Sequence, residues 1–157
     1  MPAAPRSTPA FQPSLKGRAL RLLSMREHSR LELERKLSQY ETREGELAEA
    51  LDALAARGFI SDERVADSVL HRRAAKLGAS RVKAELQAKG LDAEVVREAV
   101  ETLRATEVER AREVWRRKFG QPPADAAERA KQMRFLASRG FSGEAVRQAI
   151  EGAGDEE

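Results

Sequence analysis

The sequence predicts an all-α fold built from three tandem three-helix repeats that form an elongated, curved, solenoid-like body. Three observations predict it. A pattern recurs at fixed spacing, apolar residues follow helical periodicity, and Gly, Ser and Pro punctuate the chain at helix-length intervals. Leu86–Glu101 aligns with Leu136–Glu151 at an offset of 50 residues. Leu86/Leu136, Gly90/Gly140, Glu94/Glu144, Val96/Val146, Arg97/Arg147, Ala99/Ala149 and Glu101/Glu151 are identical, and Lys89/Arg139, Leu91/Phe141 and Val100/Ile150 keep their chemistry. An offset of 49 brings in a weaker first copy, pairing Leu33/Val82, Leu37/Leu86, Leu47/Val96, Ala50/Ala99, Leu51/Val100 and Leu54/Leu103. Units that repeat in this way stack through their neighbours, and such bodies work by presenting a surface.

Composition agrees. Charged residues make up 35% of the chain and are mostly Arg and Glu, both good helix formers. Aromatics make up only 4%, which suits Leu/Ala/Val seams between helices better than one deep core. No segment is both β-branched and alternating, so no strand is expected. The absence of cysteine excludes disulfides, thiolate nucleophiles and thiolate metal sites. No apolar run approaches the roughly 20 residues that span a bilayer, and no signal-peptide core appears. A cytoplasmic protein is expected.

The elements follow in order. Residues 1–14 hold four of the six prolines and read as a disordered leader. The first helix starts near Ser14 and buries Leu15, Ala19, Leu22 and Leu23. Ser29 caps a second helix, with Glu32 completing a capping box, and its apolar positions are Leu33, Leu37 and Tyr40. A third runs from about Arg43 through Leu47, Leu51, Leu54 and Ala55 to Gly58, placed as a C′ glycine. After Phe59 and Ile60, Ser61 caps the fourth helix, with Val65, Ala66, Val69 and Leu70 inside, and Gly78 breaks it. Ser80 caps the fifth, which buries Val82 and Leu86 and closes at Gly90. The sixth carries Val95, Val96, Ala99, Val100 and Leu103. The seventh, expected to be longest, runs from about Thr106 to Phe119 with Val108, Ala111, Trp115 and Phe119 on one stripe, and Gly120-Gln121-Pro122-Pro123 ends it. The eighth runs through Met133, Leu136 and Ala137 to Gly140, and the ninth carries Ala145, Val146, Ala149 and Ile150. The repeats divide as 15–60, 61–104 and 105–152, followed by an acidic tail at 153–157.

Net charge is +3, from 29 basic and 26 acidic residues, and its distribution matters more than its sum. Residues 1–28 hold five basic residues against one acidic, and residues 29–60 five against seven. Further clusters are Arg72, Arg73, Lys76, Arg81 and Lys83, then Arg110, Arg112, Arg116, Arg117 and Lys118. Such stripes suit nucleic acid or an acidic protein surface, although charged stripes are also ordinary solvated helix faces. The candidate partner- or DNA-binding residues are Arg72, Arg73, Lys76, Arg81, Lys83, Arg112, Arg116, Arg117 and Lys118.

The turns Lys89-Gly90-Leu91 and Arg139-Gly140-Phe141 look locally like part of a helix-turn-helix reader. A glycine C′ cap with a staple residue explains them without a ligand. His28 and His71 are the only histidines and have no ligand constellation, so surface or cap roles are expected. No phosphate loop, dinucleotide fingerprint or nucleophile elbow is present. The reading is a non-catalytic protein with no cofactor and no metal. Trp115 reads as a seam residue.

Several of these stretches together resemble the RecX family of bacterial recombination regulators. They are Ala19–Arg26 leading into Ser29-Arg30-Leu31-Glu32-Leu33 with Lys36-Leu37; Gly58-Phe59-Ile60-Ser61-Asp62-Glu63-Arg64-Val65-Ala66; Val82–Gly90; and Phe135–Phe141. In order and spacing the likeness covers residues 15–152. It implies three three-helix repeats and a non-catalytic protein that binds the RecA recombinase assembled on single-stranded DNA, limiting filament growth, ATP hydrolysis and strand exchange. Two departures stand out. Glu41 replaces the glycine of the other two copies, so the first turn must differ. Arg64-Val65-Ala66 stands where the family often has Arg-Phe-Ala. A monomer is expected, with a domain-swapped dimer as the alternative that short loops allow. The other functional readings are a helical protein acting directly on DNA through its basic stripes, and a generic interaction scaffold.

Overall fold

The structure is a computed structural model that describes residues 12–152. The leader through residue 11 and the tail at 153–157 lie outside the described residues. Nine α-helices and one short 3-10 turn account for the described residues, with no strand among them. The chain divides into two compact units, one ending at Ser61 and the other beginning at Asp62.

The first unit contains α1 (Leu15–Met25), α2 (Arg30–Leu37), a 3-10 turn at Ser38–Tyr40, and α3 (Glu46–Ala56). Ser14 caps α1 by accepting the Gly17 amide at 3.0 Å. The capping box at α2 is complete: the Ser29 hydroxyl accepts the Glu32 amide at 3.2 Å, and Glu32 accepts the Ser29 amide at 3.1 Å. Leu15, Ala19, Leu33, Leu37, Leu47, Leu51, Leu54 and Ile60 form the core. Glu41 sits where the other copies have glycine. Here the 3-10 turn makes the bend, and the Glu41 carboxylate accepts the Leu47 amide at 3.1 Å. Three expectations fail in this region: Ala55, placed on the inward face of the third helix, is exposed, and two more concern Tyr40 and a helix start. Tyr40 is not an inward helix position but lies on the 3-10 turn, 41% exposed. The third helix starts at Glu46 rather than Arg43, because Gly45 adopts φ 85° and a left-handed residue cannot continue a right-handed helix.

His28 also departs from expectation. It is 2% exposed. Its Nδ1–H donates to the Arg26 carbonyl at 2.9 Å, leaving the Nε2 lone pair toward Lys36 Nζ at 3.4 Å. Burial holds its pKa below the ordinary histidine value, and the positive charges of Arg26 and Lys36 push the same way. His71 is exposed, as expected.

The second unit contains α4 (Asp62–Arg73), α5 (Ala79–Ala88), α6 (Ala93–Arg104), α7 (Glu107–Lys118), α8 (Ala126–Ser138) and α9 (Gly143–Glu151). The longest is α8, with 13 residues, not α7 with 12. Val65, Val69, Val82, Leu86, Val96, Ala99 and Leu103 build one cluster, and Ala111, Trp115, Leu136, Phe141, Val146, Ala149 and Ile150 another. The repeat register holds in three dimensions. Leu33/Val82, Leu37/Leu86, Leu47/Val96, Ala50/Ala99, Leu51/Val100 and Leu54/Leu103 are buried in both members of each pair, and so are Leu86/Leu136, Val96/Val146 and Ala99/Ala149. The repeated polar residues also recur in role: Glu94 pairs with Arg97, and Glu144 with Arg147.

Two helix boundaries are made differently from the sequence reading. Ser80 does not cap α5. That helix begins at Ala79 behind Gly78, and the Ser80 hydroxyl donates instead to the Gly140 carbonyl at 2.6 Å. Gly78 does more than end a helix. Its amide donates to the Arg139 carbonyl at 2.7 Å, and a Cβ placed on it would lie 2.3 Å from the Gly140 backbone. Gly140 itself has φ 88° and packs against the Arg81 stem. The start of α5 and the α8–α9 turn therefore meet backbone to backbone. On α8, Ala137 is exposed and Gln132 is buried instead, because the Trp115 indole donates to Gln132 Oε1 at 2.8 Å. Trp115 is thus the seam residue expected, with its one polar atom satisfied.

Candidate partner-binding surface

The first turn of α7 organises the second unit. Glu107 is buried although charged. Its Oε1 accepts the Ala79 amide at 3.1 Å and the Ser142 amide at 3.4 Å, so one carboxylate serves the starts of α5 and α9. Helix N-termini expose unpaired N–H groups and partial positive charge, and a carboxylate answers both. Three residues on, Arg110 does the opposite. Its guanidinium donates to the carbonyls of Ala74 and Leu103, at 2.7 and 2.8 Å, and to that of Leu77. Those carbonyls lie just past the end of α4, in the last turn of α6 and, for Leu77, in the connection from α4 to α5. Burial lowers the Arg110 pKa, with Glu107 acting in opposition. Arg110, part of a basic stripe in the sequence, is therefore spent on holding helix ends together.

The same α7 presents a basic face further along. Lys76, just past α4, joins Arg117 and Lys118 of α7 around a cleft of about 280 Å³ that Arg139 also lines. Val114 and Phe135 form its apolar floor. The Phe119 and Phe135 rings meet edge to face at 5.5 Å, which fixes Phe135. Lys118 Nζ lies 5.2 Å and the Arg139 guanidinium 4.9 Å from the Phe135 ring centroid. Glu113 is the one carboxylate lining the cleft; it bonds Arg117 at 3.0 Å and Arg116 at 3.5 Å. Four cations against one acid around an aromatic floor suit an anionic partner that also brings an apolar or planar group.

The remaining candidates do not converge there. Arg72 and Arg73 lie exposed at the end of α4, Arg72 donating to the Ser68 carbonyl and Arg73 pairing with Glu85 at 3.4 Å. Arg81 is a tie rather than a free cation: it donates to the Ser138 carbonyl at 2.7 Å. Lys83 borders a separate depression with Arg97 and Arg104. Arg112 and Arg116 lie beside Trp115 and Gly152, and Arg112 Nε is buried without a hydrogen-bond partner among the described residues. Phe135, Val114, Arg139, Ala75 and Glu113 line the cleft but are absent from the sequence candidates. Phe135 carried a signal, an aromatic one position off the inward stripe of its helix. Arg139 had one too, in the basic residue that precedes the glycine of both turns.

Comparison with known proteins matches three segments of the chain. Residues 16–54 match the RecX first three-helix domain, residues 61–100 the second and residues 105–150 the third. The chain is 55% identical over 139 residues to the regulatory protein RecX of Leptothrix cholodnii, covering 88% of each. It is 49% identical over 140 residues to that of Herbaspirillum seropedicae, covering 89% of this chain and 91% of the relative. The fold is similar to the crystal structure of RecX from Lactobacillus salivarius, with a TM-score of 0.75 at 22% identity, over 88% of this chain and 94% of the other. With all three of its helical domains matched in order and close relatives along nearly its full length, the chain belongs to the RecX family of regulatory proteins.

Proposed function

We propose that this chain is a non-catalytic, cytoplasmic regulator that binds RecA filaments on single-stranded DNA and inhibits filament extension, ATP hydrolysis and strand exchange. The observation that carries the reading is the three-domain match from residue 16 to residue 150. We take the working repeats to be 15–60, 61–104 and 105–152. The cleft of Lys76, Arg117, Lys118, Arg139 and Phe135 supports a role in gripping the filament, since the DNA it holds offers phosphates in regular array. Similar units in tandem can engage neighbouring protomers together, which multiplies weak contacts.

The test is cosedimentation with RecA–single-stranded-DNA filaments, with naked single-stranded DNA as control. Replacing Lys76, Arg117 and Lys118 with Glu weakens filament binding while helix content stays at the wild-type level. Filament binding that survives this triple reversal unchanged would remove the cleft from the contact surface. A wild-type chain that stays in the supernatant with filaments would remove the regulator reading itself.

A further inference from the structure

The first unit carries a second cleft, of about 370 Å³, that the reading above does not use. It lies along α1 and the 3-10 turn. Gly17, Leu22 and Leu37 contribute apolar floor, Arg18, Arg21 and Lys36 its charge, and Met25 and Tyr40 its rim. No carboxylate lines it. Three other arginines of the unit are ion-paired: Arg26 with Glu32, Arg30 with Glu34 and Asp52, and Arg43 with Glu49. Arg18 and Arg21 have no ion pair among the described residues. Instead the Arg18 guanidinium lies 3.7 Å from the Tyr40 ring centroid. That stack braces a ring that is 41% exposed, beside a methionine 73% exposed.

We infer that this face binds single-stranded nucleic acid, with a base stacked at the Arg18–Tyr40 ledge and phosphates met by Arg21 and Lys36. The inference deepens the filament reading by giving the DNA its own contact on the first unit. Charge complementarity selects an anion, because three cations face the cleft without a single acid. The planar, cation-backed ring selects a base within that class. Flat π faces and phosphates alternate along an unpaired strand, and an aromatic set among cations matches both. An acidic peptide would match the cations but gain little from the ledge. Duplex DNA would offer phosphates but keep its bases stacked on one another.

The experiment is fluorescence anisotropy of a fluorescein-labelled oligothymidylate titrated with the full chain, without RecA. Tyr40 is exposed, so its substitution leaves the core intact, and circular dichroism confirms folding of each variant. Tyr40→Leu weakens binding by about tenfold or more, the range expected for losing one base stack, while Tyr40→Phe binds as wild type. Arg21→Ala lowers the log–log salt slope by about 0.7, as for one lost phosphate contact on a single strand. Oligonucleotide affinity that is absent in the wild type, or equal in wild type, Tyr40→Leu and Arg21→Ala, overturns the inference. A polyglutamate peptide that binds in a Tyr40-dependent way where the oligonucleotide does not would overturn it in favour of an acidic protein partner. Either failure is separate from the filament reading, which the second-unit cleft and cosedimentation test on their own.

Discussion

Removing the Glu107 carboxylate should separate the second and third repeats more effectively than its single position suggests. In Glu107→Ala the Ala79 amide, at a buried residue, loses its acceptor. An orphaned buried N–H costs about 1–3 kcal/mol. The Ser142 amide loses a longer bond of 3.4 Å at an exposed residue, where water can replace it. That adds about 0.5–1.5 kcal/mol at most, the net worth of an ordinary hydrogen bond. The sum is about 1.5–4.5 kcal/mol. Urea denaturation followed by circular dichroism reads it directly. With a slope of about 2 kcal/mol/M, the midpoint falls by roughly 1–2 M. Glu107→Gln keeps an acceptor oxygen in place and recovers at least half the loss. An alanine variant within about 0.5 kcal/mol of wild type would show that the α7 turn does not join these helix starts energetically. A glutamine variant as damaged as the alanine one would show that charge opposite Arg110, not acceptance of the two amides, is what matters.

Other perturbations test other parts of the account. Leu86→Ala and Leu136→Ala remove fully buried side chains at equivalent repeat positions. Each lowers stability by roughly 2–5 kcal/mol in a denaturation series, and unchanged melting in both would break the repeat register. Gly78→Ala drives a Cβ into the Gly140 backbone at 2.3 Å, so it destabilises by about 1–3 kcal/mol or more, as measured by urea midpoint. His28 has a folded-state pKa below its unfolded value, so the unfolded chain binds the extra proton. Its contribution is fully present above the ordinary histidine pKa of about 6.5 and is lost as pH falls below it. Thermal melts of wild type should weaken across that window, and His28→Gln should flatten the dependence; identical pH profiles would refute the assignment.

Much of this fold is legible because the signals are local. Helix caps at Ser14 and Ser29, the glycine turns at Gly90 and Gly140, and the seam positions from Leu33 to Ile150 all follow from spacing and side-chain chemistry. What was not legible depends on partners distant in sequence. Ser80 has the identity and place of an N-cap, but Gly140, 60 residues away, takes its hydroxyl. Glu107 carries no signal in the sequence and Arg110 reads as part of a basic stripe, because the helix ends they serve come from four other helices. Tyr40 fits a helical stripe, yet the chain leaves α2 after Leu37 and turns it outward. The candidate cations divide for the same reason. Lys76, Arg117 and Lys118 meet only through tertiary packing, whereas Arg81 sits in the same kind of basic run and is consumed by Ser138. Phe135 was visible as an off-stripe aromatic, but only the approach of Lys118 and Arg139 gives it a binding chemistry.

The central claim is that this chain limits RecA on single-stranded DNA, and the steady-state ATPase of a cognate RecA tests it most directly. RecA and DNA are held fixed while the chain is varied from far below to above the RecA concentration. A molecule that blocks a growing end or spans neighbouring protomers acts on many subunits at once, so the account predicts that hydrolysis slows at substoichiometric amounts. Inhibition that appears only when the chain saturates the DNA, and is reversed by added DNA, would identify a competitor for the strand instead. No inhibition at low salt with a folded sample would contradict the account outright.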